Sequence, residues 1–466
     1  MTDAPPPAGP AAPGGRGVNA SGLPLGPRPR FVTEHFEVPG IDTLAVYREH
    51  GGYAALAKAL RDFQPEALVE EVKQSGLRGR GGAGFATGVK WSFLPKDNPK
   101  PRYLCVNGDE SEPGTFKDRM IMETSPHLLL EGAIITSYAT RVRHAFIYVR
   151  GELALAGRRV QCAVDEAYAA GLLGKDILGS GFDLEVTVHR GAGAYICGEE
   201  SALLESLEGK RGYPRLKPPF PAVVGLYGCP TVINNAETMA TIPAIVRHGA
   251  AVYAAYGTEK SKGTRVFCLS GAVERPGNYE LPLGTPLAVL IDELGGGVWQ
   301  GKRAKAIIPG GSSSPLIGAD KLDTPLDHEA MAAAGSSLGS GGIVVIDDDT
   351  CIVGATLRLI EFYRDESCGK CTPCREGTYW LVELIDRLEH GDGRESDLPL
   401  LLDVCDNMDR KCFCPLGDTA INCITSSIAL FRDEYLHHIH TGGCLVGPGA
   451  RSATHTGADL VSDGRA

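Results

Sequence analysis

Three cysteines, Cys368, Cys371 and Cys374, follow one another in the segment ESCGKCTPCREG. Two intervening residues let successive thiolates turn towards one centre. A CxxCxxC run of this kind holds three irons of a cubane, and one distant cysteine holds the fourth. Zinc sites more often use two separated CxxC pairs, and a redox CxxC has no use for a third thiol. The spacing therefore points to a [4Fe–4S] cluster. The fourth ligand is to be found among Cys405, Cys412, Cys414 and Cys423. Cys414 precedes Pro415, as the remote ligand does in many ferredoxins, and stands just before a predicted helix whose first N–H groups soften negative charge. It is preferred, with Cys412 next. Cys105, Cys162, Cys197, Cys229, Cys268, Cys351 and Cys444 have no ligand-spaced neighbour and are expected to be packing residues.

Three loops carry a second chemistry. Gly79, Arg80, Gly81, Gly82, Ala83 and Gly84 read GRGGAG. The pattern satisfies GxGxxG, but it follows a predicted helix where a dinucleotide fingerprint follows a strand. Its glycines still expose backbone N–H groups to a planar ligand. Arg80 and Lys90 offer charge for a phosphate, and Phe85 and Phe93 offer faces for a ring. The second loop, GDESEPGTFKDR, comes directly after a predicted strand. There Asn107, Asp109, Glu110, Ser111 and Glu112 suit sugar or ribityl hydroxyls, and the carboxyl end of a parallel strand is where such sheets bind ligands. The third, HRGAGAYICGEESALLES, also leaves a strand and enters a helix at about Glu199, where a helix start favours a phosphate or carbonyl oxygen. Glu199 and Glu200 suit ribose hydroxyls, and a carboxylate there repels a 2′-phosphate, favouring NADH over NADPH. Asn234 and Asn235 add amide donors and acceptors.

The elements that must position these residues fall into regions. The chain has 466 residues, enough for several domains, and 43% of them are apolar. Residues 1–37 begin with a Pro- and Gly-rich run without apolar period and are expected to form a disordered tail. From 38 to 256, strands (103–107, 145–149, 184–188) alternate with helices (65–75, 154–170), which predicts a parallel sheet with helices on its faces. From 257 to 349, strands at 265–273 and 342–347 with frequent Pro and Gly predict a small α+β module. From 350 to 446, helices at 352–363, 376–389 and 419–431 predict a helical bundle, and 447–466 reads as a flexible tail. The 46 basic residues against 57 acidic ones argue against a nucleic-acid partner. No run of about eighteen apolar residues occurs, so no membrane insertion is expected. Clustered cysteines without a signal peptide suggest a reducing compartment.

The segments GRGGAGFATGVKW, NGDESEPGTFKDR, GAGAYICGEESALLES and ESCGKCTPCREG, in this order, resemble the 51-kDa-type, NADH-binding flavoprotein subunit of bacterial respiratory complex I, NADH:quinone oxidoreductase. The likeness runs from about Val38 to Cys444. It implies an α/β Rossmann-like FMN and NADH domain, a ubiquitin-like SLBB-type (β-grasp) module and a C-terminal helical bundle that carries the cluster. It implies FMN, one [4Fe–4S] cluster and NADH as cofactors and substrate. By that resemblance Gly79, Arg80, Gly82 and Lys90 line the flavin and the nicotinamide dinucleotide. Asn107, Asp109, Glu110 and Ser111 hold the flavin, with Tyr195, Gly198, Glu199, Asn234 and Asn235 on its other contacts. Phe85 and Phe93 stack on the adenine with Phe220 nearby, and Glu112 and Glu200 face NADH. Glu112 tunes the flavin by its charge, and Cys368, Cys371, Cys374 and Cys414 ligate the cluster. A thioredoxin-like [2Fe–2S] subunit and a larger iron–sulfur subunit are the expected partners, at the cytoplasmic face of the plasma membrane. Related flavoprotein subunits serve NAD-reducing hydrogenases and formate dehydrogenases.

Overall fold

The computed structural model describes residues 29–446, so most of the expected N-terminal tail and all of the C-terminal one lie outside the described residues. Residues 31–33, assigned above to the tail, are instead docked. The N–H groups of Phe31, Val32 and Thr33 donate to the Glu280 carboxylate at 2.8, 3.0 and 2.8 Å. A buried carboxylate needs donors, and Glu280 draws them from this segment, burying Val32 with it.

Tyr, Val, Ile and Phe dominate four short runs, as β-structure favours. They form β1 (Tyr103–Gly108), β2 (His144–Val149), β3 (Glu185–Arg190) and β4 (Thr231–Asn235). All pair in parallel, in the order β3-β2-β1-β4. β4 was read above only for its asparagines. Helices Pro126–Thr140 and Ala154–Ala169 fill the crossovers, and Ala236–His248 follows β4. Pro126–Thr140 is buried almost all round. It approaches Ala236–His248 so closely that a Cβ on Gly132 would strike the Met239 carbonyl. The strand order runs outwards from β1 to β3 and then returns to β4 on the other side of β1. The crevice at such a reversal, beyond the carboxyl ends of the strands, is where open parallel sheets bind ligands.

A second, mixed sheet has its own core. It comprises β5 (Thr264–Gly271), β6 (Gly277–Pro282), β7 (Ala304–Ile308), β8 (Ile317–Gly318) and β9 (Gly342–Asp347), in the order β6-β5-β9-β7-β8. Only β5 and β9 run parallel.

The C-terminal region holds helices Ile352–Glu366, Thr372–Glu389, Asp397–Met408, Pro415–Ala420 and Asn422–Thr441. The single helix expected at 419–431 is broken at Ile421, and Asp397–Met408 was not foreseen. Among the described residues, no helix is long and apolar enough to cross a membrane.

Candidate functional site

A cavity of about 620 Å³ opens at the reversal point of the first sheet, within the usual range for small-molecule sites. The ends of β1 and β4 meet there, with Asn107 in register with Asn235. Three bodies wall it. The first sheet and the glycine loop supply Arg80, Gly81, Gly82, Ala83, Asn107, Asp109, Glu110, Ser111, Glu112, Tyr195, Gly198, Glu199 and Asn235. The second sheet's loops supply Ser313, Ser337, Gly339 and Ser340, and the bundle supplies Cys414, Pro415, Leu416, Thr419 and Asn422. Sequence reasoning missed the last two groups except Cys414. It also missed Thr115, Lys117 and Asp118, which line the same space.

Most polar groups nominated from the sequence are engaged in building this wall. Asn107 donates through Nδ2 to the Gly198 carbonyl at 2.9 Å and accepts from the Asp109 N–H at 3.0 Å, tying two loops together. Glu110 accepts from the N–H groups of Asp118 and Arg119, both at 2.8 Å, and so caps the helix Lys117–Thr124. Glu199 caps the helix Glu200–Leu207 through Ser201 and Ala202 and pairs with Lys217 at 2.8 Å. That helix start therefore already carries a carboxylate cap. Asn235 Nδ2 donates to Asp118 at 2.6 Å. Asn234 does not line the cavity; its amide oxygen accepts from the Trp91 indole at 2.9 Å.

Glu112 bridges bodies. Its carboxylate accepts from the Tyr195 hydroxyl at 2.6 Å, the Ser313 N–H at 2.7 Å and the Ser312 hydroxyl at 3.3 Å. The Tyr195 N–H donates in turn to Glu366 of the bundle at 2.9 Å. Gly311 makes room for this, since a Cβ there would lie 2.5 Å from Glu112 Cγ. Burial, then the Glu112 charge, drives the Tyr195 hydroxyl well above its ordinary value, so it stays a donor.

The glycine loop is closed by the Gly79 N–H on the Phe85 carbonyl at 2.8 Å and by Arg78 on the Gly84 carbonyl at 2.6 Å. Gly82 and Gly84 have φ of +131° and +63°, where a side chain is strained. Arg80 is fully buried. Its Nη2 donates to the Thr264 carbonyl at 2.6 Å and to Tyr253 at 2.8 Å, while Nε and Nη1 have no partner. Asp109 Oδ1 is likewise buried and unpaired. Burial pushes the Asp109 carboxyl up to about 7, and that of Glu110 to about 7, with Asp118 adding to it. Orphaned buried donors and acceptors on one cavity wall call for a polar ligand. An isoalloxazine and its ribityl phosphate fit that need, so the residues present suit FMN.

Phe85, Phe93 and Phe220 lie outside the cavity wall and are 51%, 54% and 58% exposed. Phe85 and Phe93 pair at 5.9 Å between ring centroids. Lys90 is bound to Glu200 at 2.9 Å, and Glu200 also to Lys217 at 2.9 Å. Burial opposes ionisation of Glu200, but the two ammonium groups outweigh it and hold the carboxyl below its ordinary value. This charge-paired, aromatic-flanked patch adjoins the cavity through Lys217, which pairs with both Glu200 and the cavity-lining Glu199.

A second, narrow cavity is lined by Cys368, Cys371, Cys374 and Cys414, with Ser367, Lys370, Phe413 and Leu416. Cys412 is absent from that wall; its thiol donates to the Met408 carbonyl at 3.4 Å. Burial pushes the Cys374 thiol up to about 11 and the Cys414 thiol up to about 12. Converging buried thiols ionise when a cationic centre draws off their protons. The Phe413 N–H donates to Cys371 Sγ at 3.4 Å and the Ser367 hydroxyl meets Cys374 Sγ at 3.2 Å. These contacts suit a negatively charged cluster. Cys414 and Leu416 line both cavities, so the two sites share a wall.

The remaining cysteines divide. Cys105, Cys197, Cys229 and Cys268 are buried, as expected of packing residues, whereas Cys162 is exposed; the ligand candidates Cys405 and Cys423 are buried outside the narrow cavity's wall. Cys351 and Cys444 come together with His438, which no spacing in the sequence announced.

A parallel-sheet nucleotide site walled against an iron–sulfur bundle defines a flavin- and iron–sulfur-containing oxidoreductase module. The comparisons agree. Residues 72–244 match the Nuo51 FMN-binding domain, 266–316 the SLBB domain, and 354–438 the NADH-ubiquinone oxidoreductase-F iron–sulfur binding region. The F-type subunit of NADH-quinone oxidoreductase from Mycobacterium tuberculosis is 55% identical over 95% of this chain and 100% of its own length. Its counterpart from Streptomyces coelicolor is 56% identical over 88% and 91%. A solved NAD+-reducing [NiFe]-hydrogenase superposes with a TM-score of 0.77 at 34% identity, covering 88% of this chain and 67% of that one. The chain belongs to the family of F-type subunits of NADH-quinone oxidoreductase, and FMN, a [4Fe–4S] cluster and NADH are its cofactors and substrate.

Proposed function

We propose that this chain is the entry point for electrons from NADH in a larger assembly that ends on quinone. Bound in the larger cavity, FMN supplies the conversion of the electron pair of one hydride into two single electrons for the cluster. The observation that carries this reading is the shared wall: Cys414, the preferred fourth ligand, also faces the larger cavity.

The residues of the chain position, bind and exclude. Arg80 and Asp109 line the flavin's cavity, each with a polar atom that has no protein partner. Glu112 is held by three donors on two bodies, so its charge is fixed in the cavity wall and raises the local negative potential. Gly81 and Gly82 let a ring lie against backbone. Phe85 and Phe93, with Phe220, receive the adenine, and Lys90 and Glu200 hold the adjoining edge. Cys368, Cys371, Cys374 and Cys414 ligate the cluster.

A thioredoxin-like [2Fe–2S] subunit takes the electrons onward to a larger iron–sulfur subunit, and these attach the chain to the cytoplasmic face of the plasma membrane. Service in an NAD-reducing hydrogenase is the second reading, favoured by the structural similarity at a TM-score of 0.77. The full-length match to quinone-reductase relatives weighs against it. The test is anaerobic isolation with whatever copurifies. A yellow chromophore and about four irons per chain, both reduced by NADH, are expected with quinone-reductase subunits. A flavin-free chain, or iron that stays oxidised, overturns the reading. In the same preparation Glu112→Gln is expected to change NADH:ferricyanide activity and the apparent affinity for NADH; unchanged values for both remove Glu112 from the mechanism.

A further inference from the structure

Cys351, His438 and Cys444 present Sγ, a ring nitrogen and Sγ within 4.8 Å of one another, at the end of the bundle away from the cysteine triplet. Cys351 stands immediately before the helix Ile352–Glu366, whose far end leads into Cys368. Glu389 ends the helix Thr372–Glu389, which begins beside Cys371. The two helices form a hairpin with the iron–sulfur cysteines at its turn. At about 1.5 Å per residue, the opposite end lies roughly 22 Å away.

Three details make this group look built. Cys351 Sγ and His438 Nε2 are 3.3 Å apart, close to the ~3.6 Å edge expected between thiolate and imidazole ligands of a tetrahedral zinc ion. His438 Nδ1 lies 3.2 Å from the Leu388 carbonyl and donates to it. That bond fixes the tautomer and leaves the Nε2 lone pair facing the sulfur, as metal-bound histidines are held. The Gly354 N–H donates to Cys351 Sγ at 3.4 Å, a helix-start contact that favours thiolate. The Glu389 carboxylate lies 3.7 Å from Cys351 Sγ. A cysteine–histidine–carboxylate series also suits a nucleophile. Yet Cys351 is 9% exposed, and neither of the two cavities described above is lined by it.

We propose that Cys351, His438 and Cys444, with a water at the fourth position, form a mononuclear structural site for a divalent cation of the zinc class, separate from the iron–sulfur cluster. Binding releases two thiol protons to solvent and changes no oxidation state. The site fastens the chain beyond the last helix, Asn422–Thr441, to the open end of the hairpin whose turn carries the cluster cysteines. It goes beyond the electron-transfer reading and does not depend on it.

The test uses the full chain with its native iron, kept reduced, incubated with Zn2+ and passed over a chelating resin before elemental analysis. About one zinc per chain is expected. X-ray absorption at the zinc edge is expected to show two sulfurs at about 2.3 Å and two lighter ligands at about 2.0–2.2 Å. Cys444 lies past the last helix and is only part-buried, so Cys444→Ser spares the bundle. It is expected to lower bound zinc at least tenfold with iron per chain unchanged. Zinc below about a tenth per chain overturns the proposal, as does zinc retained in Cys444→Ser or zinc that disappears with Cys368→Ala. A Cys351–Cys444 disulfide in the chain isolated without reductant also overturns it.

Discussion

Lys117 sits at the foot of the larger cavity with its side chain 1% exposed, 2.8 Å from Asp118 and 3.0 Å from Glu237, which are themselves 4% and 1% exposed. Burial disfavours its charge, but Asp118, Glu237 and Glu110 outweigh that and raise its affinity for the proton. Replacing it by Met keeps the volume and removes the cation. Taking away one partner of a buried ion pair costs about 3–5 kcal/mol. A glutamate can instead escape by taking up a proton. At pH 7, roughly 2.7 units above an ordinary value near 4.3, that route costs about 3.7 kcal/mol. The two figures agree. With about 1.4 kcal/mol per tenfold, they predict that Lys117→Met speeds hydrogen exchange of the β1 and β4 amides by roughly a hundredfold to a thousandfold. The same proton route makes the cost smaller at pH 5.5, by about 2 kcal/mol. Lys117→Met/Glu237→Gln is expected to recover much of the loss, because no charged carboxylate is then left without its ammonium at Glu237. Acceleration below tenfold, or a double variant as fast as the single one, refutes the reasoning.

Two further outcomes follow from the site. Cys414→Ala is expected to reduce cluster iron to near zero, and Cys412→Ala to leave about four irons per chain; iron retained in Cys414→Ala returns the fourth position to its rival. The Asp109 carboxyl has a folded value near 7 against an ordinary 3.8, so the folded state holds an extra proton between those two pH values. The unfolded state binds fewer protons there, and stability falls as pH rises through that window. The flavin-free chain is therefore expected to melt at lower temperature at pH 7.5 than at pH 5, and Asp109→Asn to flatten that slope. A melting temperature that rises with pH, or a slope untouched by the substitution, contradicts the assignment.

The chemistry legible in the sequence was chemistry that local spacing encodes. Cys368, Cys371 and Cys374 turn to one centre because two residues separate them. Cys414 was singled out by its proline and helix start, and the structure places it, and not Cys412, in the cavity wall. Loops after strands were found because apolar runs preceded them. Side-chain pairing between distant segments left no such trace. Glu112 and Ser313 are 201 positions apart, and Cys351 and His438 are 87 apart. Some signals were present and went unread. Leu398, Leu401, Cys405 and Met408 recur at helical spacing and form the buried face of Asp397–Met408, but Pro399 in the first turn obscured a regular pattern. β4 was masked by its brevity and its terminal asparagines. Glu110 and Glu199 were read as ligands because a carboxylate beside a loop suits a hydroxyl. Both line the cavity, and each also accepts from the first N–H groups of a helix, a use of carboxylates that their place in the sequence did not announce.

The larger cavity lies where the first sheet, the second sheet and the bundle meet, each contributing a wall and all three sharing one buried core. A site made this way is as rigid as the contacts between the bodies, since loops alone hold position loosely. Glu112 and Tyr195 supply some of those contacts. The Glu112 carboxylate ties the end of β1 to the second sheet through Ser313, and Tyr195 ties that carboxylate to the bundle through Glu366. The aromatic rings of Tyr195 and Phe362, edge to face at 5.3 Å, add an apolar contact on the same line. Glu112 and Cys414 line the same cavity, and the hydrogen bonds of Glu112 tie two of its walls together. Loss of the Glu112 carboxylate would remove one of several ties between these walls, beside those from Asn422 to Ser313 and from Arg265 to Arg80.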